Sequence, residues 1–313
     1  MKKIALVVPC YNEEAVLPRT GEMLLGELDR LVAAGKASSD SFILFSNDGS
    51  ADSTWRIISD LAAKDPRVKG ISLSRNRGHQ NALLAGLMEV KDACDAAISL
   101  DCDGQDDISA IGRMVDAHEE GVEIVYGVRN SRTTDTWMKR NCARGFYKFL
   151  YWLGAEVVYD HADYRLVSAR VLRELEAYGE VNLFLRGMFP LLGFKTAEVR
   201  YDRHVRVAGE SHYPLRKQLA LAMNGITSLS IKPIRIITAA GMFVSLLSFL
   251  MIVWCFISYA CGRTVPGWTS CVLVSSLLGG VQLISLGVIG EYVGKTYLEA
   301  KRRPRYIVAE RTR

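Results

Sequence analysis

Two long stretches without a single charged residue constrain most strongly how this 313-residue chain can fold. One runs from Ile236 to Gly262 and the other from Thr269 to Gly290, with Arg263 the one charged residue between them. At ~1.5 Å per residue, each is long enough to cross a hydrocarbon core of about 30 Å. A buried soluble helix would read similarly, but two such runs joined by a short Arg263–Gly267 link are expected to form a membrane hairpin, with spans at 236–260 and 269–293. No ionisable side chain appears in either run before Glu291, which disfavours a transporter or channel. Basic residues gather at the outer ends: Lys232 and Arg235 before, Lys295, Lys301, Arg302, Arg303 and Arg305 after. The positive-inside bias then places both termini in the cytoplasm, with the hairpin in the cell membrane. Gly279, Gly280, Gly287 and Gly290 would allow close helix contacts, so a homo-oligomer is expected.

The chain opens directly on an apolar strand, Ile4 to Val8, too short and wrongly followed for a signal peptide. Residues 1–212 are therefore expected to form a cytoplasmic domain, and 295–313 a basic cytoplasmic tail. Seven cysteines lie scattered without Cys-x-x-Cys spacing and read as small apolar residues, not as a zinc or disulfide framework. Between domain and hairpin, residues 213–235 place Leu215, Leu219, Ala222, Met223 and Ile226 on one side and Arg216 and Lys217 on the other. That pattern suits a helix lying in the membrane interface, or a plain soluble helix.

Within the first 130 residues, short apolar runs alternate with helical patterns. The runs are Ile4–Val8, Phe42–Phe45, Val68–Leu73, Ala96–Leu100 and Val122–Gly127. Such alternation predicts a mostly parallel sheet covered by helices. No Gly-x-Gly-x-x-Gly follows a strand, which argues against a dinucleotide-dependent dehydrogenase. Asn12 is positioned to cap the first helix, and Pro9, Tyr11 and Glu13 to meet a nucleotide base and ribose.

The run Ala96–Leu100 ends in Asp101-Cys102-Asp103-Gly104-Gln105-Asp106-Asp107. Like charges crowded at a strand end repel one another unless a cation neutralises them. In an extended turn, Asp101 and Asp103 can reach one ion, and Gln105 can add a neutral oxygen. Hard oxygen ligands suit Mg²⁺ or Mn²⁺, which bind substrate phosphates as well. The reading is a metal held on the diphosphate of a nucleotide sugar; an acidic helix start is the alternative.

Several segments together carry a resemblance. They are Val7-Val8-Pro9-Cys10-Tyr11-Asn12-Glu13-Glu14, Asn47-Asp48-Gly49-Ser50-Ala51-Asp52, Ser74-Arg75-Asn76-Arg77-Gly78-His79-Gln80 and Asp101-Cys102-Asp103-Gly104-Gln105-Asp106. Later come Asp163-Tyr164-Arg165-Leu166, Phe184-Leu185-Arg186-Gly187 and Arg206-Val207-Ala208-Gly209-Glu210-Ser211. The chain resembles the inverting GT-A glycosyltransferases, and within them the polyprenyl-phosphate branch that includes dolichyl-phosphate mannose synthase and bactoprenol glucosyltransferases. The resemblance implies an α/β fold: a Rossmann-like GT-A sheet, an amphipathic interfacial helix, then the transmembrane hairpin. It implies Pro9, Tyr11, Glu13 and Asp48 at the nucleoside, Asp101, Asp103 and Gln105 at the metal, and Arg206 at the donor diphosphate. Asp163 and Asp103 are the catalytic candidates. Asp163, in a stretch expected to link one helix to another starting near Ser168, would stand beside the reacting centre as base or positioner, and a buried pair with Arg165 is the structural alternative. Two positions depart from the pattern: Asn47 stands where many relatives have Asp, and His212 where Lys is frequent.

Arg129, Lys139, Arg140 and Arg144 fall in a basic stretch opposed only by Asp135, and suit the phosphate of a polyprenyl phosphate acceptor. Nucleic acid is disfavoured by a whole-chain charge of only +5 and by the membrane runs. The expected reaction is sugar transfer to polyprenyl phosphate, with UDP-glucose the preferred donor and N-acetylglucosamine or mannose donors open. A processive synthase lacks support, because the chain has no Gln-x-x-Arg-Trp and too few spans for a channel. A catalytically idle nucleotide-binding module tethered to the bilayer is the other reading.

Overall fold

A computed structural model describes residues 1–130, 161–180, 184–202, 232–262 and 267–312. Lys139, Arg140, Arg144, Arg206, His212 and the amphipathic stretch before residue 232 lie outside them. The chain forms β1 (Ile4–Cys10), α1 (Leu17–Ala33), β2 (Phe42–Asn47), α2 (Thr54–Lys64), β3 (Val68–Leu73), α3 (His79–Val90), β4 (Ala96–Ser99), α4 (Ala110–Glu119) and β5 (Ile124–Arg129). Then follow β6 (His161–Ser168), α5 (Ala169–Glu176), α6 (Leu185–Leu191), β7 (Thr196–Tyr201), α7 (Lys232–Ala260), α8 (Trp268–Ala300) and β8 (Val308–Arg311).

Among the described residues, eight strands join one sheet in the order β7-β5-β6-β4-β1-β2-β3-β8. The pairs β1–β2, β2–β3, β1–β4 and β5–β7 are parallel, while β6 runs antiparallel to both β4 and β5. Every residue of β1 is buried, as a central strand covered on both faces requires. Leu6 and Val8 enter one core with Leu24 and Leu28 of α1 and Met114 of α4. Ala5 and Val7 enter the other with Leu83 and Leu87 of α3 and Leu172 of α5. The sheet order reverses at β1, between β2 and β4, and such a switch point opens a crevice at the carboxyl ends of the strands.

Three sequence expectations change. Asn12 does not cap α1; it adopts φ 54° and its Oδ1 accepts from Ala51 N at 2.9 Å, while Pro18 sits in the first turn of a helix that begins at Leu17. The segment around Asp163, read as a link between helices, is a strand, because its Tyr164-Arg165-Leu166-Val167 is buried between β4 and β5. Residues 301–312 are more than a basic tail: β8 adds antiparallel to β3 at the sheet edge.

The attachment of β8 is specific. Ser74 N donates to Ile307 O at 2.9 Å, Gly70 N to Thr312 Oγ1 at 2.9 Å, and Trp55 Nε1 to Glu310 at 3.0 Å; Tyr306 packs on the second core. Deleting residues 306–313 would bare the β3 edge. The deletion should lower the unfolding midpoint of detergent-solubilised protein, by about 2–4 °C per kcal/mol lost in a domain of this size. An unchanged midpoint in a calorimetric scan would mean that β8 contributes nothing to the fold.

Helices α7 and α8 contain 29 and 33 residues, and both are long and apolar enough to cross a membrane. Phe243, Phe249, Trp254, Leu283, Ile284 and Leu286 on them are all exposed, which for large apolar side chains is the pattern of a lipid-facing surface. Only residues 301–307 separate α8 from β8, a span of about 25 Å at full extension. The sheet edge therefore lies close to the C-terminal end of α8.

Candidate functional site

A cavity of about 410 Å³ opens at the carboxyl ends of β1 and β4. Its wall includes Pro9, Tyr11, Glu13, Asp48, Asp101, Asp103 and Asp163, drawn from four separate segments of sequence. Those are seven of the residues singled out above. His79, Phe184 and Arg186 also line it; they occur in the motifs that carried the resemblance but had been given no role.

The nucleoside side is built on β1 and β2. Pro9 pairs in register with Ser46, and Asp48 N donates to Cys10 O at 2.8 Å, which keeps the two strand ends side by side. Asp48 is buried, and its oxygens accept from Arg77 N at 2.7 Å and Gly78 N at 2.9 Å. Burial raises its carboxyl above the ordinary value despite these two hydrogen bonds. Asp48 therefore also fixes the loop that delivers His79. Gly49 makes the approach feasible: at φ 64°, a Cβ there would come within 2.5 Å of the Arg75 backbone. Glu13 is set by its backbone N donating to Thr54 Oγ1 at 2.9 Å, while Tyr11 is exposed at the rim.

The acidic side follows β4. Burial pushes the Asp101 carboxyl up to about 6; the charges of Asp106, Asp163 and Asp103 add to the rise and His79 opposes it. Asp103 Oδ1 accepts from Gln105 N at 3.1 Å, closing a turn in which Gly104 adopts φ 66°. Asp106 is buried before α4 begins and accepts from Tyr201 Oη at 2.8 Å. Tyr201 Oη in turn receives Arg129 Nε at 3.3 Å. Arg129 is thereby tied to the acidic loop, and it is not part of the cavity wall.

The fit to a divalent cation rests on Asp101 and Asp103, two hard oxygen donors whose crowding a cation would relieve. Gln105 also fits: its Oε1 is buried and receives no hydrogen bond, although the residue does not line the cavity. Among the described residues no three His, Cys, Asp or Glu side chains converge into a complete metal cluster. Two carboxylates that share an ion with substrate phosphates need no third.

Asp163 is the hub of the remaining wall. Antiparallel pairing sets Ser99 at the end of β4 against Arg165 of β6, and Asp101 and Asp163, each two residues beyond that pair, both reach the cavity wall. Asp163 Oδ1 accepts from Arg165 Nη2 at 2.7 Å and Arg186 Nε at 3.0 Å, and Oδ2 accepts from Arg186 Nη2 at 2.8 Å. His79 Nε2 lies 3.2 Å from Asp163 Oδ2 and 3.7 Å from Asp101 Oδ1, bridging the two acids. Burial would raise the Asp163 carboxyl, but hydrogen bonds from His79 and Arg186 and the charges of both arginines hold it well below the usual range. Burial likewise works against the His79 imidazolium, yet Asp163 and Asp101 together keep its pKa above the ordinary value. A carboxylate so heavily compensated is a poor base and a firm electrostatic anchor.

A family model described as glycosyl transferase family 2 matches residues 5–176. An uncharacterized glycosyltransferase, YkoT of Bacillus subtilis, is 48% identical over 97% of this chain and 90% of its own. A protein named bactoprenol glucosyl transferase, from Shigella phage SfX, is 40% identical over 99% of both chains. Among solved structures, glucosyl-3-phosphoglycerate synthase from Mycobacterium tuberculosis, in complex with Mn²⁺, UDP-glucose and phosphoglyceric acid, is 17% identical. That similarity covers 73% of this chain and 78% of the other, with a TM-score of 0.47. With more than half of the sequence matched by the family model, and full-length relatives well above 30% identity, the chain belongs to glycosyl transferase family 2 and is a glycosyltransferase.

Proposed function

We propose that this enzyme transfers glucose from UDP-glucose to polyprenyl phosphate at the cytoplasmic face of the membrane, with inversion at the anomeric carbon. The observation that carries the reading is the charge pattern of one cavity wall: Asp101 and Asp103 line it together with Arg186, which Asp163 holds, and His79 bridges Asp163 and Asp101. The paired acids suit a metal-bound diphosphate and the arginine a phosphate. Full-length similarity to a protein named bactoprenol glucosyl transferase supports a lipid acceptor, as do two exposed apolar helices, the second of which leads within a few residues into β8 of the sheet.

In this reading Pro9, Tyr11, Glu13 and Asp48 hold the nucleoside, and Asp101, Asp103 and Gln105 hold Mg²⁺ or Mn²⁺. Arg206 serves the donor diphosphate, while Arg129, Lys139, Arg140 and Arg144 guide the acceptor phosphate. When bound, the metal supplies charge neutralisation to the leaving diphosphate. The acceptor oxygen attacks in line. A phosphate monoester has its second pKa near 6, so it is already anionic at neutral pH and needs no strong base. Asp163 then acts through position, by holding Arg186 and His79 against the reacting groups.

Purified protein incubated with undecaprenyl phosphate and a panel of labelled nucleotide sugars tests the proposal. Label should pass to the lipid from UDP-glucose. Transfer from an N-acetylglucosamine or mannose donor instead would change the sugar, and no transfer from any donor would leave the idle nucleotide-binding module.

Topology gives a separate prediction. In a cysteine-free background, a cysteine replacing Pro266 should react with a membrane-impermeant maleimide in intact cells, whereas one replacing Lys2 should react only after permeabilisation. The reverse pattern would place the catalytic domain outside.

A further inference from the structure

The acid turn leaves the sheet early. Strand β4 ends at Ser99, and its ladder beside β1 closes with Leu100 N donating to Val7 O at 3.2 Å. None of residues 101–107 belongs to a strand, so what fixes Asp101 and Asp103 has to come from elsewhere. Within the turn, Gln105 N reaches Asp103 Oδ1 at 3.1 Å, and Asp101 N reaches Asp106 Oδ2 only at 3.5 Å. Behind it, Tyr201 Oη holds Asp106 at 2.8 Å, and Tyr164 Oη donates to Asp107 O at 3.0 Å. The anchor that falls between the two acids comes from α1: Thr20 Oγ1 donates to Cys102 O at 2.9 Å.

Thr20 is a polar residue on the apolar face of its helix. It is buried, with Leu17 and Leu24 about one turn to either side in the first core. A threonine in such a place ordinarily bonds its hydroxyl back to the carbonyl four residues before. Val16 O is within reach at 3.1 Å, but it already receives Thr20 N at 3.0 Å. One hydroxyl carries one proton. Given to Val16 O, it would add a second bond to a carbonyl already paired; given to Cys102 O, it serves a buried residue outside any strand. The Cys102 carbonyl lies in the planar peptide unit that joins Cys102 to Asp103. Holding it therefore fixes how Asp103 is presented relative to Asp101. The helix is a firm mount, because Leu17 N at its start donates to Glu13 O at 3.0 Å, and Glu13 is itself on the cavity wall.

We propose that Thr20 is a positioning residue for the acid turn, holding Asp101 and Asp103 at the spacing a divalent cation requires. The inference rests on the metal-dependent sugar-transfer reading. Thr20 does not line the cavity, so it acts through the turn and not on the substrate.

Calorimetric titration of Mn²⁺ into full-length protein in nanodiscs, with UDP present, tests this without turnover. Thr20→Val keeps the shape and removes the hydroxyl. It should raise the Mn²⁺ Kd by about tenfold or more, the loss typical of removing a group that orients a metal ligand. Thr20→Ser keeps the hydroxyl and should bind Mn²⁺ as the wild type does. Should the Val variant fail to fold, Thr20→Ala takes its place, with the same rise expected. An unchanged Kd in the folded variant would overturn the proposal while leaving the metal reading intact. Weakening in Thr20→Ser equal to that in Thr20→Val would overturn it as well, because packing and not the hydroxyl would then be responsible. Wild-type protein that binds UDP but no Mn²⁺ would overturn the metal reading, and the role of Thr20 with it.

Discussion

Asp101→Asn and Asp103→Asn should each cut sugar transfer by about 10³-fold or more while the protein still folds and inserts. The magnitude follows from the several kcal/mol of charge stabilisation that a metal provides at a leaving diphosphate, with each 1.36 kcal/mol worth about a factor of ten. Chelation by EDTA should have the same effect and be reversed by Mn²⁺ or Mg²⁺. Asp101 offers a second readout with a distinctive sign. Its folded pKa, pushed up to about 6, lies above that of a free carboxyl. Such a group costs the native state stability as pH rises through that value. In chelator at pH 8, Asp101→Asn should therefore raise the unfolding midpoint, whereas at pH 4 the two proteins should unfold alike. Loss of activity accompanied by a lowered midpoint at pH 8 would show that Asp101 is a structural acid, and full activity in EDTA would remove the metal from the scheme.

The second large effect belongs to Asp163. Asp163→Asn should lower turnover by roughly 10²-fold or more, because the groups it holds lose their anchor. It should also destabilise the fold: Arg165, fully buried, would lose the carboxylate that compensates it, and breaking a buried pair costs about 3–5 kcal/mol. For a domain of this size that is about 2–4 °C in midpoint per kcal/mol. The pH dependence separates the remaining roles. The folded pKa of Asp163 is depressed, so the stability that it contributes is fully present above the unfolded value of about 3.9 and is lost as pH falls through the folded one. Between pH 5 and 8 Asp163 stays ionised, and the wild-type rate should show no limb from it, only the acid limb of the acceptor phosphate near pH 6. A basic variant loss that vanishes above that pH would instead make Asp163 a proton acceptor. Normal turnover with a lowered midpoint would reduce it to the structural partner of Arg165.

What the sequence determined by itself was local. Uncharged runs at 236–262 and 269–290 specify long apolar helices, because helix length and hydropathy are properties of contiguous residues. Apolar runs such as Ile4–Val8, bounded by turn residues, specify buried parallel strands, and the acids that follow them fall at strand ends whatever the sheet order. Asp48, Asp101 and Asp103 were therefore legible as a group. The tertiary structure decided which distant segments meet. No local pattern announces that β6, formed by Asp163-Tyr164-Arg165-Leu166, inserts antiparallel between β4 and β5. Yet that pairing brings Asp163 onto the same cavity wall as Asp101 and buries Arg165. His79 and Arg186 become parts of one charged cluster only because α3 and α6 are fixed together through Gln80 and Leu185. The same holds for residues 308–311, which read as a charged tail until β3 offers them an open edge. A strand pairing is a relation between two segments, and its free energy comes from hydrogen bonds and burial that neither segment contains alone.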